Sequence, residues 1–414
     1  MEEKELAEII FGENYYSPKD LRYNLKVGYM LSKDELIELK AEKERLLDSE
    51  EFKKYMIDIP LKTFNSKHIF YVRGAYLLDT MTDYLANYNA DFKEKEAPFL
   101  SRHAEQILTS RIFSEIEGTL NIENVPTTHK RIKEVSKAEN LTDKNDIIIK
   151  NMFKAIEFIV GAPEFNKENL FKLYNILSKD CLDEEDELTE GYYRNGPVSV
   201  GHYDGAPFEK IDELMDSLFE FVNNEENVQK FGHIMPHICH YYIVYVHPYF
   251  DYNGRTARMV SLWISLIKDF FYAPLYMSEA INENKKAYYD ALSDTRDMNN
   301  DLTYFLGYIY ETATKFSLIY KNVEEIEKQL AKSGDFLTSG EIAYLKKILA
   351  HNLDDYFKVS QFIKYINNNI SKQAALKVLN QLTDYGILNA GTNKKNEKIF
   401  KINPEYLTYK FNAN

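Results

Sequence analysis

Residues 247–270 read HPYFDYNGRTARMVSLWISLIKDF, and the first half of this stretch contains the components of a phosphate site. Asn253 and Gly254 favour a tight turn, and the apolar run after them predicts a helix that begins there. Such a helix would point free backbone N–H groups and the positive end of its dipole at an anion. Arg255 and Arg258 lie three residues apart, so both could reach the same anion. The stretch therefore predicts a helix that begins at a polyphosphate site.

Two further side chains predict chemistry at this site. Asp251 precedes the turn, where a carboxylate could hold Mg²⁺ together with substrate phosphates. The imidazole of His247 normally has a pKa near neutrality, so it could accept a proton from an incoming hydroxyl group. The alternative is a solvated turn after a helix, which would require all of these residues to occur in this order by chance.

The run HPYFDYNGRTAR resembles the signature of the Fic domain family, HPF-x-[DE]-G-N-G-R-x-x-R. The preceding segment MPHICHYYIVYV, residues 235–246, looks like the helix that leads into that signature. The resemblance implies a mainly α fold, with a Fic-type helical core and a small β-hairpin flap. Most Fic enzymes transfer AMP from ATP to a serine, threonine or tyrosine hydroxyl of a protein and release pyrophosphate. By resemblance, this chain is a protein adenylyltransferase that uses ATP and Mg²⁺ and modifies a protein target or itself.

The resemblance also assigns a role to each matching residue of the loop. His247 would be the general base, and Asp251 would be the Mg²⁺ ligand. The residues that would contact the nucleotide phosphates are the cradle of Asn253, Gly254 and Arg255, and the γ-phosphate ligand Arg258.

Two other segments resemble parts of the nucleotide site. GYYRNGPVSVGHYDGAP, residues 191–207, is similar to the family's flap, a β-hairpin that lies over the nucleotide and pairs with the target segment as an added strand. NKKAYYDAL, residues 284–292, is similar to the segment whose tyrosine pair closes over the nucleoside, so Tyr288 and Tyr289 are candidates to pack on adenosine. The flap residues expected at the nucleotide are Val198, Ser199, Val200 and Gly201.

Two positions of the loop depart from the family signature. Tyr252 stands where the family has glycine, and Tyr249 stands where it has phenylalanine. A bulky residue does not easily adopt the backbone conformations that glycine allows, so we expect a cradle of altered shape or a shifted nucleotide preference. This departure leaves an alternative function open: a winged-helix regulator or pseudoenzyme whose Fic site binds nucleotide without transferring it.

A second signature lies about 130 residues before the loop. In SRIFSEIEGTLNIENV, residues 110–125, the apolar residues have helical spacing, and Gly118 is predicted to end the helix. The segment resembles the Fic inhibitory helix, [ST]-x-x-x-E-[GN], when Glu117 and Gly118 are taken as its last two residues. Phe113 then stands where serine or threonine is expected. The resemblance implies that Glu117 pairs with Arg258 and prevents productive binding of the γ-phosphate.

Three histidines before the loop allow two interpretations. His233, His237 and His240 have helical spacing, which would suit a zinc site. No CxxC pair or nearby carboxylate completes such a site, and His240 matches a packing position of the Fic helix. The sequence therefore favours a core role for these histidines over a metal site.

Composition and charge are typical of a cytoplasmic protein. The chain has 414 residues, which suggests two or three domains, and a formal net charge of −14. Its 2 cysteines have no metal or redox spacing, as expected in a reducing compartment. The acidic start MEEKELAEII lacks the features of a signal peptide, and the longest apolar run is too short to cross a bilayer. The abundance of tyrosine, asparagine and lysine suggests a bacterial source. We therefore expect a cytoplasmic location and no membrane partner.

Changes in pattern along the chain predict four regions. Residues 1–100 form an N-terminal helical region, and residues 101–320 form the Fic core with its inhibitory helix. The charged stretch VEEIEKQLAKSGD, residues 323–335, is predicted as a helix that frays into a linker, 321–334. Residues 335–414 form a separate C-terminal domain. The resemblance to the Fic family is also compatible with a homodimer.

The C-terminal domain resembles a winged helix-turn-helix. Its pattern predicts three helices and then a hairpin with a lysine-rich tip. The residues expected to face DNA would be Lys372, Gln373 and Lys377 on the third helix, with Lys394 and Lys395 on the wing. The domain carries 11 Lys and 7 Asp or Glu, so the rest of the chain carries −14 − 4 = −18. That negative charge disfavours DNA as a partner, and docking of a protein partner is the alternative.

Overall fold

A computed structural model describes residues 3–24, 27–28, 30–65, 67–91, 112–125, 127–161, 164–200, 203–268, 277–351, 355–366 and 370–407. The chain divides into two compact units. The first comprises residues 1–85 and 92–311, and the second comprises residues 86–91 and 312–414. Within the described ranges, no helix is both long and apolar enough to cross a membrane.

The structure is mainly helical, as predicted. Its helices before the site are α1 (Glu3–Phe11), α2 (Pro18–Tyr23), α3 (Lys33–Leu47), α4 (Ala75–Asp91), α5 (112–122), α6 (His129–Lys137), α7 (Lys144–Gly161) and α8 (Lys167–Ser178). From there to the second unit they are α9 (Ile211–Asn223), α10 (Glu225–Phe231), α11 (Met235–Val246), α12 (Asn253–Ile267), α13 (Met277–Glu283), α14 (Lys285–Asp297) and α15 (Thr303–Ser333).

Two short antiparallel hairpins complete the first unit. Strands β1 (Met56–Ile59) and β2 (Ile69–Val72) pair with Met56 opposite Val72. Strands β3 (Ser199–Val200) and β4 (Tyr203–Asp204) form the hairpin predicted as the flap.

Helices α11 and α12 form the centre of the first unit and carry the loop between them. Nearly every residue of α11 is buried, which is expected of a helix that is apolar on all sides. Helix α12 packs on α11, α7 and α8, and its Trp263 lies against Phe165 with ring centroids 5.0 Å apart. Because both helices that flank the loop are held in the core, the loop has a rigid base.

Lys43 and Asp301 form a buried ion pair in the first unit. Lys43 Nζ lies 2.7 Å from an Asp301 carboxylate oxygen and also donates to the hydroxyl of Tyr15 at 2.7 Å. A buried charge is costly without a partner, so this contact ties α3 to the segment that precedes α15.

The second unit has its own apolar core and a three-stranded sheet. Its elements after α15 are α16 (Ser339–His351), β5 (Phe357–Lys358), α17 (Val359–Tyr365), α18 (Lys372–Asp384), β6 (Leu388–Thr392) and β7 (Lys398–Ile402). The sheet is antiparallel with the order β5-β7-β6. The expected three helices and hairpin are present, and the winged helix-turn-helix assignment stays a prediction.

The charged stretch, predicted as a helix that frays into a linker, is helical as far as Ser333. Residues 321–333 belong to α15, which continues without interruption from Thr303 to Ser333. The boundary between the two units falls within the same helix, between residues 311 and 312. The high charge of residues 321–333 is typical of an exposed helix face, because i,i+4 pairs such as Glu324 and Lys328 stabilise a helix in water.

Candidate active site

The loop between α11 and α12 is closed by one asparagine side chain. Asn253 Nδ2 donates to the carbonyl oxygen of Tyr249 at 2.8 Å, and its Oδ1 accepts from the N–H of Tyr249 at 3.0 Å. Both ends of the amide are therefore used inside the loop. The side chain of Asn253 thus shapes the loop, and its place in the phosphate cradle stays a prediction.

His247 ends α11 in the left-handed region, with φ 56° and ψ 63°. Its Nδ1 lies 3.4 Å from the carbonyl oxygen of Val244, a contact that places the ring proton on Nδ1 and leaves Nε2 as an acceptor. Partial burial lowers the pKa of His247 to about 4, because burial penalises the charged ring. The imidazole is therefore neutral at pH 7, as a general base requires.

Arg255 offers unused donors at the start of α12. Its guanidinium is buried, and among the residues that the structure describes neither Nε nor Nη1 has a hydrogen-bond partner. One Nη2 contact, to Asp251 at 3.7 Å, is at the outer limit of an ion pair. A buried guanidinium with free N–H groups is costly unless it meets an anion. Arg255 and the helix N-terminus together are therefore suited to bind an anion.

Tyr252 supports this guanidinium. It adopts φ 65° and ψ 7°, which is the left-handed conformation, and it precedes the first turn of α12. Its ring lies under Arg255, with the guanidinium carbon 3.4 Å from the ring centroid. The departure from the family glycine therefore keeps the positive φ that the loop needs and adds a flat surface on which Arg255 rests.

Arg258 is engaged by a different acid from the one predicted. Its Nε donates to Thr119 Oγ1 at 2.6 Å, and its Nη2 donates to a carboxylate oxygen of Glu123. Glu117, the predicted partner, lies six residues earlier on the same segment. The predicted pairing of Glu117 with Arg258 assumed that the helix ends at Gly118. Helix α5 instead continues to residue 122, so Glu123 is the acid that follows its end.

Gly118 has a packing role in the middle of α5. A Cβ at this position would overlap the backbone of Ser278 and Glu279. Beside it, buried Glu115 accepts hydrogen bonds from the Ser278 N–H at 3.0 Å and from the Ser278 hydroxyl. Glycine is common at helix ends because it adopts positive φ, but it also lacks a Cβ and so allows two backbones to approach closely. Gly118 serves the second purpose.

The sequence contains a signal for the acid that pairs with Arg258. Residues 119–124, TLNIEN, match [ST]-x-x-x-E-[GN] at every fixed position, with Thr119 and Glu123 as its two polar anchors. Both anchors contact Arg258 in the structure. Applying the pattern to the next glutamate would have removed the mismatch at Phe113.

Most of the predicted flap lies in the described structure. Ser199 pairs with Asp204 and Val200 with Tyr203, and Ser199 and Val200 are exposed. Val198 accepts a backbone hydrogen bond from Gly205 N–H at 3.0 Å. Gly201 lies outside the described residues.

Only one of the two predicted tyrosines presents its ring to solvent. Tyr288 is buried, and its hydroxyl lies 2.8 Å from His240 Nε2 in the core. Tyr289 is 49% exposed, so of this pair it is the residue that could pack on a nucleoside. His240 occupies the packing position predicted for it. In the part of the chain that the structure describes, no group of three histidine, cysteine, aspartate or glutamate residues could hold a metal ion.

Comparison with known proteins identifies the domain. Residues 164–265 match the model of the Fic/DOC family. Protein adenylyltransferase Fic of Aedes aegypti is 24% identical over 185 residues, which cover 44% of this chain and 35% of that protein. Protein adenylyltransferase fic-1 of Caenorhabditis elegans is 26% identical over 124 residues, 30% of this chain and 24% of that protein. The chain thus spans about a quarter to a third of these relatives.

Solved structures of the same family also resemble the chain. A Fic family protein from Desulfovibrio desulfuricans is 16% identical with a TM-score of 0.49, covering 79% of this chain and 95% of that one. Fic-1 of C. elegans is 17% identical with a TM-score of 0.45, covering 60% and 72%. The family match, residues 164–265, contains the flap and the whole loop from His247 to Arg258. Residues 164–265 of this chain therefore form a domain of the Fic/DOC family.

Proposed function

We propose that this protein is an adenylyltransferase that transfers AMP from ATP to a hydroxyl side chain of a protein, including itself. The observation that carries the proposal is the loop from His247 to Arg258. It joins a histidine that is neutral at pH 7 to the buried guanidinium of Arg255 at a helix N-terminus. Two nitrogens of this guanidinium have no hydrogen-bond partner within the described ranges. A base beside a polyphosphate site is the combination that nucleotidyl transfer requires.

The chemistry assigns one task to each group. The target hydroxyl oxygen attacks the α-phosphorus of ATP while its proton passes to Nε2 of His247. The bond from the α-phosphorus to the bridging oxygen breaks, and pyrophosphate leaves with those electrons. Arg255 and the N–H groups at the start of α12 stabilise the charge that develops on the phosphate oxygens.

The half-exposed carboxylate of Asp251 fits a Mg²⁺ ligand. Its Oδ1 accepts from the Tyr252 N–H at 2.6 Å, which fixes the group at the edge of the site. Mg²⁺ is commonly held by one or two carboxylates together with phosphates and water, so a single acid is sufficient. Bound there with ATP, the ion would neutralise charge on the phosphates.

The proposal includes inhibition of the resting protein by Glu123. Its carboxylate lies against Gly254, within 2.6 Å of where a Cβ would stand, and pairs with Arg258. Arg258, Arg255 and Lys285 all hold the pKa of Glu123 below its usual range. The carboxylate thus occupies the positive end of α12, the position that a terminal phosphate would need.

An intact-mass experiment tests the transfer. In one arm, the Glu123→Ala protein is incubated by itself with ATP and Mg²⁺ and then weighed intact. In the other arm, it is incubated with a proteome, Mg²⁺ and radiolabelled ATP. We expect a gain that matches AMP, or labelled proteins, and loss of either with His247→Ala. If ATP binds by calorimetry but no AMP is transferred to any protein, the adenylyltransferase proposal fails and the nucleotide-binding regulator is favoured.

A further inference from the structure

Arg194 makes an unusual set of contacts beneath the flap. It is 2% exposed, and all three of its guanidinium nitrogens donate to backbone carbonyl oxygens. Nε donates to His247 O at 2.8 Å, Nη2 donates to Ala206 O at 2.5 Å, and Nη1 donates to Gly196 O. These carbonyls belong to the loop and to both sides of the flap.

We propose that Arg194 is a positioning residue that holds the backbone of His247 and the base of the flap in one fixed arrangement. A planar guanidinium presents a rigid fork of donors, so it can satisfy three carbonyls that diverge in space. A lysine ammonium at the same place has a single nitrogen and could not reach all three. The inference rests on the proposed transfer reaction and adds a residue to it.

The backbone around Arg194 supports this role. The Arg194 N–H donates to Pro248 O at 3.0 Å, and the Ala206 N–H donates to Val246 O at 3.1 Å. The two sides of the flap are thus attached to the residues on either side of His247. A Cβ on Gly205 would stand 2.9 Å from Arg194 Nη2 and 3.1 Å from His247 Cβ, so the arrangement leaves no space for a side chain there.

The conformation of His247 requires such support. A residue other than glycine at φ 56° is in a region that L-residues adopt at a cost. This backbone conformation sets the direction of the His247 carbonyl. Arg194 Nε donates a hydrogen bond to that carbonyl oxygen. Without the guanidinium, the carbonyl would be free to turn, and the imidazole would move with it.

Arg194 also contributes to the electrostatics of the base. The charged groups that act on His247 are Arg194, Arg296 and Asp251, and the two arginines lower its pKa while Asp251 raises it. A neutral residue in place of Arg194 therefore predicts a higher pKa for His247. A lysine in the same place would keep most of this charge but lose the three-way contact.

The test compares Arg194→Gln with Arg194→Lys in the Glu123→Ala background, with exposed Arg45→Gln as the matched control. We expect both Arg194 variants to lose kcat by roughly 10²-fold, the effect of a small misplacement of a reacting group, while ATP affinity by calorimetry stays within about twofold of the parent. The acid limb of the pH profile should move to higher pH only in Arg194→Gln. Unchanged kcat in a folded Arg194→Gln protein would overturn the inference, and so would an equal loss of ATP binding.

Two further measurements keep the test decisive. Gly205→Ala pushes on Arg194 from the flap side and should give the same loss of kcat with ATP affinity retained. Histidine-selective NMR titration reads the pKa of His247 without any transfer, and we expect it to rise in Arg194→Gln. If neither the parent nor any variant transfers AMP, the proposed function fails, and the NMR signals of His247 then decide the positioning role. Unchanged His247 chemical shifts in both Arg194→Gln and Arg194→Lys would overturn it. If the titration does not shift and kcat is kept, Arg194 has no such role.

Discussion

Removal of the Glu123 carboxylate should lower stability and raise activity at the same time. Arg258 is buried and pairs with Glu123, whose side chain is 26% exposed. Removing one partner of a buried pair costs about 3–5 kcal/mol. The exposure of Glu123 places Glu123→Ala at the low end of that range, so we expect its Tm to fall by several degrees.

The same change should increase transfer. If the Glu123 carboxylate competes with the terminal phosphate by about 1–3 kcal/mol, its removal raises the productive fraction roughly 5- to 150-fold. ATP should then raise the Tm of the variant more than that of the wild type, because at one ATP concentration the stabilisation by a ligand grows as its Kd falls. The assays are thermal unfolding with and without ATP and Mg²⁺, and the rate of AMP incorporation.

Glu117→Ala is the control, since it removes a carboxylate from the same helix at the position first expected to inhibit. We expect it to leave AMP incorporation near the wild-type rate. Equal rates and equal ATP-dependent shifts of Tm in wild type and Glu123→Ala would refute the inhibitory role. Activation by Glu117→Ala alone would return that role to Glu117.

Other predictions concern the surroundings of the site and the second unit. Gly118→Val should force α5 away from α13 and raise AMP incorporation while lowering Tm; an unchanged rate in a destabilised protein would show that α5 does not inhibit. Burial raises the pKa of Glu115 from 4.5 to about 7, so its contribution to stability is largest at low pH and declines as the pH rises through that window. The free energy of unfolding of the wild type minus that of Glu115→Gln should therefore fall by about 3 kcal/mol as the pH rises from below 4.5 to above 7. A free-energy difference that does not change with pH would contradict the burial effect. Tyr289→Ala should weaken ATP binding in calorimetry, and equal affinity would remove it from the nucleotide site. If α18 contacts DNA, duplex binding by the full chain should weaken steeply with salt and be lost in Lys372→Glu with Lys377→Glu; absence of binding at low salt favours protein docking.

Local chemistry explains why the loop could be predicted from the sequence. A histidine, an acid, a turn and two arginines within 12 residues specify both the geometry and the charge of the site, so distant parts of the chain are not needed to recognise it. The side chain of Asn253 closes the loop on Tyr249, and its contact with phosphate stays a prediction. An amide can serve a ligand or a backbone equally well, and sequence does not distinguish the two.

Tertiary contacts decided the features that the sequence did not predict correctly. Gly118 is compatible with a helix end or with close helix packing, and only the neighbouring α13 shows which applies. Tyr288 is buried with its hydroxyl 2.8 Å from His240 Nε2, a contact that the sequence does not indicate, and the roles of Tyr288 and Tyr289 at the nucleoside stay predictions. The charged end of α15 has a pattern that suits either an exposed helix or a linker.

Tyr252 gives the phosphate loop a conformational rigidity that glycine would not provide. Glycine samples many backbone states and loses more freedom than any other residue when it is fixed. The left-handed conformation costs tyrosine about 1–2 kcal/mol, and a desolvated guanidinium over its ring contributes about 2 kcal/mol in return. Since these values nearly cancel, the loop can hold its shape before ATP arrives. Nucleotide binding should therefore proceed with a smaller loss of conformational entropy than it would with glycine at this position.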